Sequence, residues 1–181
     1  MSLFEGWLST SETLAAFSDR NLVAAMLRFE SALARAQAQA GVIPEAAAHS
    51  IVGSCKVELF DVAKIVRDSA HAGSIAAPLV ASLQEAVGLF NPQALPFVHF
   101  GASGQDLVDT AMALVTREAL TLIAADLDRA AQALLVLAQR HATTPVLARA
   151  ALQPASVTSF GLRCVGWAAP LVRSHRRLAE A

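Results

Sequence analysis

Chemistry-bearing side chains are scarce in this chain, and they collect in two places. The first is residues 98–110, where His99, Ser103, Gln105 and Asp106 surround Gly101 and Gly104 at the start of a long helical pattern. An imidazole, a hydroxyl, an amide and a carboxylate beside a helix N-terminus suit recognition of an anion. The first turn leaves backbone N–H groups unpaired, and the helix dipole adds positive character there. His99 brings a group that exchanges a proton near neutral pH. A carboxylate-bearing small molecule is the expected ligand. The second cluster is Arg149, Gln153, Ser156 and Thr158, also read as a helix N-terminus because Pro154 or Ala155 is placed to open a helix. Arg149 offers a planar fork that matches carboxylates, and Gln153 adds an amide.

Each of these residues also has a plainer explanation. Ser103-Gly104-Gln105-Asp106 has the form of a capping box, in which Ser103 accepts from a backbone N–H and Asp106 reaches back to the cap. His99 among apolar neighbours has the setting of a satisfied core histidine. Asp109 complements the helix dipole, and His71 and His141 stand where a helix C-terminus accounts for them. His49 and His175 belong to no motif, and Arg173, Arg176 and Arg177 read as a solvated face.

The elements that would position these groups are helical, with no sustained alternation of the kind a half-buried strand needs. The fold class is all-α. Ser18 or Asp19 caps a helix that places Leu22, Met26, Phe29, Leu33 and Ala36 on one face, and Gly41 stops it. Pro44 opens the next, shorter helix. Asp61 caps another with Val62, Ile65 and Val66 inward, and Gly73 closes it. A further helix begins near Pro78, runs through Leu79, Leu83 and Val87, and ends at Asn91-Pro92. These pieces make an N-terminal helical domain over residues 1–105. From 106 to about 142 there is neither proline nor glycine, which predicts one unbroken helix of roughly 50 Å. Leu120, Leu127 and Leu134 recur beside Ala124, Ala131 and Ala138, a seam that lets neighbouring helices approach closely. After a loop over 143–153, a second long helix runs to the end, with a bend expected at Pro170. Residues 106–181 therefore read as part of a helical-bundle domain, two long antiparallel helices. With no capping signal at its close, the last helix reads as cut rather than finished.

Of the 181 residues, 55% are hydrophobic and 16% charged, an apolar excess over ordinary soluble domains. No uninterrupted apolar run of about 18 residues occurs, so a membrane span is not expected. The N-terminus carries no secretion signal, and the expected location is the cytoplasm. A net charge of −1 leaves no footprint for nucleic acid. Cys55 and Cys164 read as buried free thiols, and no metal site is expected. The apolar excess points to a protein partner. If the two long helices are antiparallel, about 50 Å separates the two polar clusters within one chain. Either one cluster is structural, or the site is completed between subunits of a homo-oligomer. The apolar stave favours the second arrangement.

The 98–110 stretch closely resembles the first signature of the fumarase and adenylosuccinate lyase superfamily. Within it the nearest pattern is the 3-carboxy-cis,cis-muconate cycloisomerase branch, where His-aromatic-Gly-Ala-Thr-Ser-Gln-Asp precedes Asp-Thr. Further matches are Phe17-Ser18-Asp19, Phe29-Glu30-Ser31-Ala32-Leu33-Ala34 and Gly41-Val42-Ile43-Pro44. Ala148-Arg149, Leu152-Gln153-Pro154-Ala155, Thr158-Ser159-Phe160-Gly161-Leu162 and Gly166-Trp167 continue them. The resemblance implies a homotetramer on a central helical bundle, with each active site assembled from three subunits. It implies a cofactor-free isomerase of aromatic catabolism, in the protocatechuate branch of the β-ketoadipate pathway. There a substrate carboxylate adds across a conjugated double bond to give a γ-carboxymuconolactone. It further implies that Ser103, Gln105, Arg149 and Gln153 bind the polycarboxylate, with Asp106 beside them as organiser of the turn, and that His99 handles a proton.

The departures from the pattern are specific. Ser103-Gly104 stands for Thr-Ser and Arg149-Ala150 for Arg-Thr, each losing a hydroxyl. Ala151 stands where adenylosuccinate lyases carry a histidine, as fits the cycloisomerase branch. The superfamily's Gly-Ser-Ser-x-Met-Pro-x-Lys-x-Asn-Pro loop supplies its proposed proton-transfer serine. This sequence has no Ser-Ser pair, and its lysines are Lys56 and Lys64. The expectation is an N-terminal portion that binds and by itself turns over little or nothing. Two alternatives stay open: another β-elimination lyase of the superfamily, and a helical association module without catalysis.

Overall fold

A computed structural model describes residues 3–181, which form two compact units divided between Ala119 and Leu120. The first opens with two short helices, α1 (Leu3–Leu8) and α2 (Ser11–Ala16). Helix α3 (Asp19–Gln39) follows, capped by Ser18, whose Oγ accepts from the Asn21 amide at 3.2 Å. Its buried line is Val23, Met26, Leu27, Glu30 and Ala34. The expected stripe is therefore rotated: Met26 is buried, Leu22, Phe29 and Leu33 are half-buried, and Ala36 is exposed. The buried line includes Glu30, a carboxylate at an inward position that apolar periodicity reserves for hydrocarbon.

Gly41, in the left-handed region at φ 70°, leads to α4 (Glu45–Ser54), preceded by Pro44. A 3₁₀ turn (Val57–Leu59) precedes α5 (Val62–Ala72), which Asp61 caps and left-handed Gly73 closes; Ile65 is buried there, with Val62 and Val66 half-buried. Helix α6 (Ala76–Phe90) starts two residues ahead of Pro78 and buries Leu79, Leu83 and Val87 completely. The 3₁₀ turn Pro92–Phe97 then delivers the chain to the polar turn. Helix α7 (Gly104–Arg140) follows without interruption for 37 residues. Its Leu107, Ala111 and Val115, at four-residue spacing, close the first unit's core with Met26, Leu27, Ile51, Ile65 and Leu83.

The second unit corrects one expectation. In place of a loop over 143–153 and a helix from Pro154 or Ala155, strands β1 (Pro145–Ala150) and β2 (Gln153–Ser159) pair as an antiparallel hairpin. Helix α8 (Phe160–Glu180) starts only after it, capped by Ser159 Oγ on the Leu162 amide at 3.1 Å. Val146, Val157 and Thr158 are β-branched residues that favour strands. Pro154, with no N–H to give, sits opposite Arg149, where the register is irregular. At residue 161 only glycine fits, because a Cβ there would lie 2.5 Å from the Ala138 carbonyl oxygen. That contact brings the start of α8 against the end of α7, where the His141 and Phe160 rings stack edge to face at 5.4 Å. Pro170 lies inside α8, which continues past it. Apart from this hairpin the architecture is all-α, and no helix among the described residues is long and apolar enough to cross a membrane.

Candidate functional site

The polar turn is built from α3 as much as from its own residues. Val98 is buried at the end of the 3₁₀ turn; His99 and Gly101 then take left-handed backbone, φ 56° and 69°, and reverse the chain. Glycine adopts that conformation freely, whereas an L residue there costs about 1–2 kcal/mol. The cost at His99 is offset by its contacts. His99 Nδ1 lies 2.6 Å from Glu30 Oε1, with the Glu30 side chain 1% exposed and that of His99 15%. One helical repeat away on α3, Gln37 Nε2 donates to the Phe100 carbonyl at 2.6 Å. Two side chains at i and i+7 of one helix thus clamp consecutive residues of the turn. Burial pushes the Glu30 carboxyl above the ordinary carboxylate range, while bonds from the His99 ring and backbone amide, and its charge, work against the rise. Nearby, burial and then the Glu30 charge push the Cys55 thiol up to about 12, so it stays neutral.

At the head of α7 the capping box is complete. The Ser103 amide donates to Asp106 Oδ2 at 2.8 Å, the Ser103 hydroxyl donates to the same oxygen at 2.7 Å, and the Asp106 amide donates to Ser103 Oγ at 3.1 Å. The Ser103 backbone amide, then its hydroxyl, holds the Asp106 carboxyl below the usual range. Gln105 Nε2 donates to Asp109 Oδ1 at 2.6 Å. Ser103, Gln105 and Asp106 are exposed, so His99 and these three share one open turn at a helix N-terminus. Gly104 is close-packed: a Cβ there would stand 3.0 Å from Ala76 Cβ. The hydroxyl missing at this position relative to the family pattern is matched by a tight approach of α6.

The second cluster lies elsewhere in the fold than its sequence pattern predicts. Arg149 is on β1 and Gln153 on β2, Ala150 pairs with Gln153, and Ala151 and Leu152 form the turn with φ 47° and 65°. Ser156 and Thr158 are on β2, so Thr158 precedes the true helix start by two residues. Arg149 and Gln153 therefore flank a β-turn, not a helix mouth, and both are exposed. Arg149 forms no ion pair among the described residues.

Sequence reasoning missed Glu30 and Gln37. The available signal was a carboxylate four residues from Met26 and from Ala34 on an otherwise apolar line.

A long-helix α protein whose main helix opens on a polar turn, with a carboxylate-clamped histidine beside it, is the class that fold and site define. The profile of the lyase family, described as "Lyase", matches residues 8–181, and the chain belongs to that family. It is 40% identical over 178 residues to the 3-carboxy-cis,cis-muconate cycloisomerase of Pseudomonas putida, covering 98% of this chain and 42% of that protein. It is 41% identical over 165 residues to the nitrosuccinate lyase of Streptomyces davaonensis, covering 91% of this chain and 35% of that one. The crystal structure of the 3-carboxy-cis,cis-muconate lactonizing enzyme from Pseudomonas putida superposes with a TM-score of 0.95 at 39% identity, over 98% of this chain and 41% of that one. The chain thus spans about two fifths of the length of the relatives it matches.

Proposed function

We propose that the protein to which these residues belong is a cofactor-independent cycloisomerase. It interconverts 3-carboxy-cis,cis-muconate and a γ-carboxymuconolactone, and the 181 residues supply part of its ligand site. The observation that carries this reading is 40% identity to a cycloisomerase sustained over 98% of the chain. The reaction requires binding of several carboxylates, stabilisation of charge on the reacting carboxylate, and movement of one proton at carbon. The open turn at the head of α7 and the unpaired guanidinium of Arg149 are suited to the first two. His99 handles a proton near the ligand; Ser103, Gln105, Arg149 and Gln153 bind it; Asp106 holds Ser103 in place. The site is completed between copies in a homo-oligomer, a tetramer in keeping with the resemblance, in which the polar turn of one chain meets the hairpin residues of another.

The likeness to nitrosuccinate lyase favours a second reading, a β-elimination lyase acting on another small polycarboxylate. Calorimetry on the chain with γ-carboxymuconolactone, nitrosuccinate and adenylosuccinate separates the two. The lactone is expected to bind most tightly, and His99→Asn to weaken it. Preference for nitrosuccinate selects the second reading, and a stable oligomer that binds none of the three contradicts both in favour of a non-catalytic association module.

A further inference from the structure

Among the described residues, two polar side chains are buried, Glu30 and Ser54. Ser54 is accounted for locally, its hydroxyl donating to the Ser50 carbonyl at 3.0 Å. Glu30 is not: a hydrocarbon side chain would fill its place on α3 without the desolvation a carboxylate carries. Its one side-chain partner is His99, 2.6 Å away across 69 residues of sequence. The ring's other nitrogen, Nε2, has no partner among the described residues and is not among the buried unsatisfied atoms.

A 2.6 Å separation holds one shared proton, either as Nδ1–H donating to the carboxylate or as a carboxyl O–H donating to Nδ1. These arrangements have opposite consequences. With the carboxylate ionised and the ring neutral, Nδ1–H leaves the lone pair on Nε2, whereas an Nε2–H ring would turn its Nδ1 lone pair on the carboxylate oxygen; a carboxyl O–H donating to Nδ1 carries one proton more and leaves the neutral ring protonated at Nε2. The first is favoured because the carboxylate also accepts from the His99 backbone amide, and these bonds stabilise its ionised form over the protonated one. Around the pair, Cys55 is neutral, Arg35 acts on Cys55, and Asp106 lies on the His99 side.

We propose that Glu30 is the positioning residue of this site: it fixes His99 as the Nδ1–H tautomer, so that the proton His99 gains or loses is the one at Nε2. The carboxylate also steadies the imidazolium formed when Nε2 takes a proton. The assignment of that nitrogen to a polycarboxylate ligand rests on the function proposed above; the tautomer does not.

Long-range ¹⁵N–¹H spectra of the histidine-labelled chain test the proposal, with His99→Asn identifying the His99 signals. The neutral His99 ring is expected to show a protonated Nδ1 and a bare Nε2. Glu30→Met, which removes the acceptor, should lose that preference. Glu30→Gln, which removes the charge but keeps an acceptor oxygen, should retain the Nδ1–H form. A wild-type ring protonated at Nε2, or an Nδ1–H form that persists in Glu30→Met, would overturn the proposal. If both variants fail to fold, the wild-type spectrum still decides, because the two proton placements give opposite patterns. Added γ-carboxymuconolactone is expected to move the Nε2 signal. A Glu30-dependent tautomer whose signals ignore the lactone keeps the positioning role and removes the proposed ligand, so the two failures are distinct.

Discussion

At His99 the backbone takes a conformation that L residues avoid, and the side chain rests on a buried carboxylate. The two features are one device, since the bond to Glu30 compensates the left-handed turn that points the ring. Truncation and replacement at this residue should therefore differ. His99→Ala leaves Glu30 buried without its partner and is expected to destabilise the chain by about 3 kcal/mol. His99→Asn tolerates the positive φ and keeps an N–H donor near Nδ1, so it should lose far less. The pH dependence of the Ala variant follows from burial, which raises the Glu30 carboxyl and which His99 no longer opposes. A carboxyl raised on folding contributes stability that is full below its unfolded-state pKa and lost as pH rises through the folded value. The alanine variant should lie nearest wild type in acid and fall behind as the pH rises above the ordinary carboxylate range, measured by urea unfolding; an equal deficit at both ends would contradict this. His99, Ser103, Gln105 and Asp106 were legible in sequence because their chemistry is local to one turn. Glu30 and Gln37 were not, because a polar residue on an amphipathic helix reads as solvated unless its partner, some 60 residues on, is known.

The hairpin is the element where local signals misled. Pro154 reads as a helix opener, the alternation spans only a few residues, and the turn has neither asparagine nor glycine. Yet Ala151 and Leu152 both take positive φ, the geometry of a two-residue turn in which glycine and asparagine are normally preferred. Ala151→Asn combined with Leu152→Gly should therefore raise stability by about 1 kcal/mol in thermal unfolding; no gain would mean that the turn is not strained. The helices fared better, for a physical reason. Caps at Ser18 and Asp61, the left-handed stops at Gly41 and Gly73, and the long proline-free, glycine-free run are short-range features that act wherever the chain folds. The inward face of α3 depends on tertiary pairing and was legible only in part.

For the whole molecule, the second unit is the informative part. Among its described residues the buried apolar side chains are all small: Ala131, Ala138, Cys164 and Ala168. Val136, Leu147, Leu152, Val157, Leu162 and Trp167 are exposed by 48–101% of their surface. Surface of that kind is characteristic of an association face. The 55% hydrophobic composition announced it without saying which elements carry it. We propose that this face brings copies together so that the turn around His99 and the hairpin around Gln153 act on one polycarboxylate from different chains. Mixing two defective chains tests it most directly. His99→Asn and the double variant Arg149→Ala with Gln153→Ala should each bind γ-carboxymuconolactone poorly alone. Refolded together in equal amounts, they should recover wild-type affinity in about one quarter of sites, the share that random pairing leaves with both clusters intact. A mixture that binds no better than its two components would contradict the account.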